Sequence, residues 1–114
     1  MAGGTSLTEL TRTATTIRED IITSLLAAGS GHSAGPLGMA DVFTALYFSI
    51  ANISPETRSA PNRDRITLSN AHICPVLYAT LANRGYFPRE ELKTLRKLGS
   101  RLQGHSNNHS LPEI

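Results

Sequence analysis

The chain has 114 residues, of which 39% are hydrophobic and 18% charged, a composition typical of one globular domain rather than of a disordered or fibrous protein. Its net charge of +2 comes from scattered basic residues, and no apolar run approaches the length of a membrane span, so we expect neither a nucleic-acid nor a membrane partner. The single cysteine, Cys74, excludes an internal disulfide and a thiolate zinc site, which favours a cytoplasmic location.

The first predicted element is a long helix from Ser6 to Gly29. Ser6 and Glu9 have the spacing of a capping box, in which a hydroxyl and a carboxylate satisfy free amides of the first turn. Gly29 is predicted to end the helix, because glycine readily adopts the left-handed conformation of a C-cap. Apolar residues between these ends recur at steps of three and four and form one core-facing stripe: Leu7, Leu10, Ala14, Ile17, Ile21, Leu25 and Ala28.

Three further helices and one strand are predicted downstream. The second helix spans about residues 38–50 with a broad apolar face, and the third spans about residues 73–83. A β-branched and aliphatic run over residues 65–69 has the length of a strand and leads into the third helix. Pro88 suits the first turn of a fourth helix, with acidic residues near its start and basic residues, among them Arg96, near its end. The chain is therefore predicted to be α/β and mostly helical.

Histidines lie in three loops rich in small residues, Gly-Ser-Gly-His32, Ser-Asn-Ala-His72 and Gln-Gly-His105. The middle loop joins the predicted strand to the third helix, where open α/β sheets bind ligands and free backbone amides favour phosphate. Spacing alone favours a structural alternative, in which Ser69 or Asn70 caps the helix and His72 packs beneath it. The first loop is likewise what the end of a long helix requires.

Two other groups of residues suggest binding less strongly. His105 and His109 are four residues apart, but they lie in a loop without thiolate or carboxylate neighbours at ligand spacing, so we predict no metal ligand in this chain. The basic residues that follow Glu91, among them Arg101, either decorate a solvated helix face or bind an anion.

Taken together and in order, the loop motifs resemble the transketolase family. The motifs are Gly-Ser-Gly-His-x-x-Gly-x-Leu-x-Met-Ala-Asp, then Asp-Arg-x-x-Leu-Ser-Asn-x-His, then Leu-Arg-Lys-Leu-Gly-Ser-Arg-Leu-Gln-Gly-His. The resemblance runs from about residue 16 to residue 111. Deoxyxylulose-phosphate synthase, a related thiamine-diphosphate enzyme, is similar to parts of this pattern but matches its last passage less well.

The resemblance implies that residues 1–114 form the first part of a diphosphate-binding domain, mostly helical with one or few parallel strands in this segment. A loose start is expected over residues 1–5 and an irregular end over residues 99–114. The resemblance implies transfer of a two-carbon ketol unit between sugar phosphates, as in the pentose phosphate pathway, with thiamine diphosphate and Mg²⁺ as cofactors. The site residues carried over are His72 as a donor to the diphosphate, Ser69 and Asn70 in its loop, and His32 and His105 beside the sugar. The resemblance also leaves Arg101 to bind anionic cofactor or support its loop, with a structural salt bridge as the alternative.

The chain also departs from the family pattern. Serine follows His32 and His105 where the family has proline, Ala71 stands where it has glycine, and Glu113 replaces another glycine. A methyl group at Ala71 is expected to matter most, because it obstructs a turn of positive φ or a close approach of cofactor.

No Asp-Gly pair is present for the family's magnesium motif, and the pyrimidine-binding domain is absent. We therefore expect a split subunit or a fragment that is inactive alone, needs a complementary transketolase chain in a homo- or hetero-oligomer, and exposes an apolar stripe of its long helix. The alternatives are a non-catalytic interaction or regulatory module of the same fold, and a subunit of a related thiamine-diphosphate enzyme such as deoxyxylulose-phosphate synthase.

Overall fold

The structure, a computed structural model, describes residues 5–112 and is built mainly from helices. The α-helices are α1 at Leu7–Ala28, α2 at Ala34–Gly38, α3 at Ala40–Ala45 and α4 at Cys74–Arg84. A π-helical turn at Leu46–Ile50 continues α3, and 3₁₀ turns occupy Pro55–Thr57, Ala71–Ile73 and Arg89–Thr94. Most of the predicted loose start, residues 1–4, and the substitution Glu113 lie outside the described residues. No helix in the described range is long and apolar enough to cross a membrane.

Both predicted ends of α1 are confirmed. Ser6 Oγ accepts a hydrogen bond from the Glu9 backbone N–H at 3.1 Å, and Glu9 Oε1 accepts one from the Ser6 backbone N–H at 3.1 Å. Gly29 closes the helix with φ 73°, and its N–H donates to the Leu25 carbonyl at 2.9 Å. Local hydrogen bonding therefore determines this helix, as capping chemistry predicts.

The core-facing stripe of α1 is shorter than predicted. Ala14, Ile17 and Ile21 are buried against the other helices, but Leu7 is 79% exposed because no described element covers the first turn. A second apolar surface lies on the outer side of α1, where Ile22 and Leu26 are 54% and 80% exposed. Of the predicted stripe, Leu7 alone is exposed, so the expectation that the stripe itself would be uncovered is wrong for the rest of it; the exposed Ile22 and Leu26 lie outside the stripe.

The second predicted helix, residues 38–50, corresponds to α3 and its π-helical continuation, which begin at Ala40 and end at Ile50. A separate short helix that was not predicted, α2, precedes it at Ala34–Gly38. Pro36 does not prevent this, because it lies in the first turn, where its missing N–H removes no intrahelical hydrogen bond. Phe43 and Tyr47 are buried and stack with ring centroids 6.1 Å apart, whereas Val42 is 47% exposed. The buried face is therefore narrower than the apolar pattern indicated.

The predicted parallel strand over residues 65–69 is not confirmed, and no strand forms within residues 5–112. A strand requires backbone hydrogen bonds to a neighbouring strand, and residues 65–69 make no backbone-to-backbone hydrogen bond in the described chain. Ile66 and Leu68 are nevertheless half-buried while Arg65 and Thr67 are exposed, which is the alternation of a one-sided strand. The side-chain pattern is present without the pairing that would define a sheet.

The predicted fourth helix is only a 3₁₀ turn, Arg89–Thr94, preceded by Pro88. It stops short of Arg96, which adopts φ 62° and whose backbone N–H donates to the Leu102 carbonyl at 2.9 Å. A residue with positive φ cannot continue a right-handed helix, so the chain turns back here. The basic residues beyond Thr94 consequently do not line a helix end.

One polar cluster in the core connects three elements. Asp20 of α1 is only 9% exposed, and its two oxygens accept hydrogen bonds from Arg89 Nε at 3.0 Å and Nη2 at 2.8 Å. The Asn83 side-chain amide of α4 donates to the same carboxylate at 2.7 Å. The bidentate geometry satisfies the buried charge and fixes the turn after Pro88 against α1 and α4.

Candidate functional site

The first and second histidine loops meet at the start of α4. The imidazoles of His32 and His72 are edge to face, with ring centroids 4.9 Å apart and an interplanar angle of 62°. Gly35 makes this approach possible, because a Cβ placed on it would lie 2.6 Å from Cγ2 of Ile73. Both histidines are exposed, so their rings border the solvent instead of lying in the core.

The third loop docks against the first two turns of α4. The Tyr78 hydroxyl donates to the Gln103 carbonyl at 2.6 Å, and the Cys74 thiol lies 3.4 Å from that oxygen and 3.2 Å from the Gly104 carbonyl. Burial raises the pKa of both the Cys74 thiol and the Tyr78 hydroxyl, so each remains a neutral donor near neutral pH. His105, which directly follows Gly104, is held next to the turn that carries His72.

The middle loop offers donors that the protein itself does not use. The side chains of Ser69 and Asn70 are exposed and make no hydrogen bond within residues 5–112; Asn70 precedes the 3₁₀ turn without a side-chain capping bond, and the N-cap of α4 is Ile73. His72 is exposed as well, so the alternative in which these residues cap α4 while His72 packs beneath it is wrong. A hydroxyl, an amide and an imidazole are therefore available together for an anionic ligand.

The alanine that replaces the family's glycine causes no backbone strain. Ala71 is half-buried at the start of a 3₁₀ turn, and in the described chain Arg96 is the one non-glycine residue with positive φ. The turn before His72 thus has a conformation that any residue adopts readily. The expected obstruction of a turn of positive φ by Ala71 is therefore wrong. The expected effect of its methyl group on the approach of a cofactor stays a prediction.

Within the described residues, His105 and His109 share no metal-binding cluster, and Arg101 is engaged in a salt bridge. The part of the chain that the structure describes contains no cluster of three or more His, Cys, Asp or Glu side chains able to hold a metal ion. His109 belongs to a separate turn, in which its backbone N–H donates to Asn107 Oδ1 at 3.1 Å. Arg101 forms a bidentate salt bridge with Glu91 at 2.8 and 3.0 Å and lies over the Phe87 ring, which is a structural role.

Residue patterns alone do not identify the side chains that assemble these loops. The sequence marks Cys74 only for disulfides and metals, and Tyr78 only as part of the third helix. The charge pattern places Arg96 on a solvated helix face, although its Nε donates to Ser30 Oγ of the first loop at 3.0 Å. The one sequence signal for a role of Arg96 in the site is its position inside the third motif. Sequence spacing cannot show its contact with a residue 66 positions away.

Three loops with polar groups gather at the amino end of one buried helix, an arrangement that suits an anionic ligand. The family model for "Transketolase, thiamine diphosphate binding domain" matches residues 10–114. The chain belongs to the transketolase family, within its thiamine diphosphate-binding domain.

Individual relatives agree with this assignment. The chain is 41% identical over 97 residues to the 6-deoxy-6-sulfo-D-fructose transketolase subunit SqwG of Clostridium sp. (strain MSTE9), covering 85% of this chain and 35% of SqwG. It is 38% identical over 88 residues to one of the subunits of the apulose-4-phosphate transketolase of Phocaeicola vulgatus, covering 77% of this chain and 31% of that polypeptide. The crystal structure of Pichia stipitis transketolase with sedoheptulose 7-phosphate matches with a TM-score of 0.85 and 38% identity, over 90% of this chain and 15% of that one. The chain thus spans about a third or less of the proteins it resembles.

Proposed function

We propose that this chain is part of a transketolase that transfers a two-carbon ketol unit between a ketose phosphate and an aldose phosphate. The observation that carries the proposal is the meeting of His32 and His72, 4.9 Å apart, at the start of α4 where the third loop also docks. These histidines belong to separate motifs 40 residues apart in sequence, yet the fold places their rings in contact. Helix capping or core packing by a single histidine would not require two exposed imidazoles in contact.

The donor set of the middle loop fits a diphosphate. His72, Ser69 and Asn70 present N–H and O–H groups that no described protein atom occupies, and such donors form strong hydrogen bonds with phosphate oxygens. Bound thiamine diphosphate supplies the electron sink that two-carbon transfer requires. Mg²⁺ would take its ligands outside this chain, since phosphate-bound magnesium prefers carboxylate and carbonyl oxygens and this loop offers none in a cluster.

His32 and His105 are assigned to the sugar. Both are exposed beside the His72 turn, so their imidazoles are free to form hydrogen bonds with sugar hydroxyls as catalytic side chains. His32 is placed against the proposed diphosphate donor by its ring contact, and His105 by the anchoring of Gly104 to Cys74. Both histidines proposed to bind the sugar thus lie next to the turn that carries the proposed diphosphate donors.

The remainder of the fold is proposed to come from a complementary transketolase polypeptide, with residues 1–114 as one part of the diphosphate-binding domain. Residues 65–68, with Arg63, line a cavity of about 530 Å³, and in the described chain their backbone makes no strand pair. Arg63 Nε is buried there without a hydrogen-bond partner, which is costly unless another chain supplies an acceptor. Two relatives are themselves named as subunits, which supports a split enzyme. The proposal also includes a cytoplasmic location and sugars of the pentose phosphate pathway, as expected from the sequence.

The test is to reconstitute the chain with the polypeptide that supplies the other transketolase domains and to compare wild type, His72→Ala and His109→Ala. Losing a charge-assisted hydrogen bond to phosphate is expected to weaken thiamine diphosphate binding by about tenfold or more in His72→Ala. His109→Ala is the matched control, because His109 is equally exposed but lies in a separate turn. Equal cofactor affinity in all three proteins, measured by titration calorimetry, would remove His72 from the proposed site.

A further inference from the structure

Arg96 lies between the first and third histidine loops and contacts both. Its Nε donates to Ser30 Oγ at 3.0 Å, and its Cδ lies 3.7 Å from the position that a Cβ on Gly31 would occupy. Its guanidinium also packs against Gly104, where a Cβ would collide with Nη1. One side chain therefore bridges the residue pair before His32 and the residue before His105.

Both loops are adapted to this close approach by glycine. Gly31 has φ 126°, which side-chain-bearing residues rarely adopt, and a Cβ there would also lie 2.5 Å from Leu25 Cδ2. Gly104 has an ordinary φ, and a Cβ there would meet the end of the Arg96 side chain, so an added side chain would displace the guanidinium from this position. Glycines thus occur at both points where Arg96 reaches the loops.

The backbone of Arg96 is held in an unfavourable conformation. Its φ of 62° lies in the left-handed region, and within residues 5–112 it is the one non-glycine residue found there. Such a conformation persists only where surrounding contacts determine it, and outliers of this kind gather at functional sites. Here the backbone hydrogen bond from Arg96 N–H to the Leu102 carbonyl, at 2.9 Å, fixes the turn that aims the side chain between the loops.

We propose that Arg96 is a positioning residue that sets the separation of the loops carrying His32 and His105. Arg96 itself need not touch a substrate, because it acts through Ser30 and Gly104. The importance of that separation for sugar binding rests on the proposed function, whereas the bridge between the loops does not.

The experiment measures backbone order parameters by NMR in the 114-residue chain for Arg96→Ala, Arg96→Gly and Arg96→Lys. Arg96→Gly accommodates the positive φ, so it removes the side chain without straining the turn. Arg96→Lys keeps the charge and the apolar stem but lacks the Nε donor and the planar fork. Lys97→Ala is the matched control, since Lys97 is the exposed neighbour and its side chain makes no hydrogen bond or ion pair with the described residues.

In Arg96→Ala and Arg96→Gly, the order parameters of residues 30–32 and 103–105 are expected to fall from about 0.85 to below about 0.6. The His32 and His105 ring resonances should shift, whereas those of His109 should not. Arg96→Lys is expected to leave residues 30–32 mobile, and Ser30→Ala to loosen that loop alone. Lys97→Ala should match wild type at every position.

Three results would overturn the proposal: unchanged order in both loops, full restoration by lysine, or a loss of order that extends equally through α1 and α4. The last would show a general loss of stability. Because these readouts need no cofactor, they decide the role of Arg96 even if the reconstituted complex shows no ketol transfer. In an active complex, Arg96→Ala should lower kcat while leaving thiamine diphosphate affinity near the wild-type value. His72→Ala, by contrast, is expected to weaken thiamine diphosphate binding.

Discussion

Replacing Gly35 by alanine tests the contact that brings the first two histidine loops together. A Cβ at this position would lie 2.6 Å from Ile73 Cγ2, whereas ordinary van der Waals contacts of this kind fall between 3.4 and 4 Å. Ile73 is buried and cannot move aside freely, so α2 must shift away from the turn that carries His72. We expect Gly35→Ala both to destabilise the chain and to separate the His32 and His72 rings.

Gly38 supplies the matched control for this substitution. It lies in the same five-residue helix, has no positive φ, and would place a Cβ with nothing within 4 Å. Both alanine variants gain helix propensity of about 0.5–1 kcal/mol, so the difference between them isolates the clash with Ile73. Overpacking of this kind costs about 1–3 kcal/mol, and the two variants should differ in free energy of unfolding by that amount.

The assay is urea denaturation followed by circular dichroism, analysed as a two-state transition with matched slopes. The ring contact is followed separately by the nuclear Overhauser effect between His32 and His72, which should weaken in Gly35→Ala and persist in Gly38→Ala. If the two variants differed by less than about 0.5 kcal/mol, within the range of ordinary surface substitutions, the packing of Gly35 against Ile73 would be refuted as the cause of loop convergence.

Two further substitutions test how the scaffold is held. Asp20→Ala should lower the free energy of unfolding in urea by about 2 kcal/mol, because it leaves Asn83 and Arg89 without their carboxylate; the half-exposed Arg89 keeps the loss below that of a fully buried pair. Equal stability of Asp20→Ala and wild type would contradict this. The backbone N–H and then the hydroxyl of Ser6 lower the pKa of Glu9 below its ordinary 4.5, so the capping box stabilises above that pH and weakens as the pH falls through the lowered value. Wild type should therefore gain more free energy of unfolding between about pH 3 and about pH 6 than Glu9→Gln does. Equal gains in the two proteins would count against the capping box.

The parts of the fold that sequence predicts well are those determined by neighbours along the chain. The Ser6 and Glu9 capping pair and the Gly29 C-cap are formed as expected, because each hydrogen bond joins residues three or four apart. The sequence pattern does not predict α2, because Pro36 suggests that a helix cannot continue there. A proline in the first turn of a helix nevertheless removes no intrahelical hydrogen bond. The strand over residues 65–69 is predicted from side-chain type, and it lacks the partner that pairing requires.

Contacts between distant residues explain what sequence could not predict about the site. The loop motifs identify His32, His72 and His105 as a group only through their resemblance to a family, since no local pattern indicates that rings 40 residues apart touch. The residues that hold the loops have no functional signature of their own. They are ordinary side chains with a long-range partner.

The amino end of α4 is where these long-range contacts combine. Its first residues, Cys74 and Tyr78, face the third loop with a thiol and a hydroxyl whose pKa values burial raises, so both act as uncharged donors to backbone carbonyls. Neutral donors suit this place, because a buried charge there would require a partner and would compete with an anionic ligand for the nearby donors. The helix thus holds the His105 loop without electrostatic cost, while the exposed turn before it keeps His72, Ser69 and Asn70 available for binding.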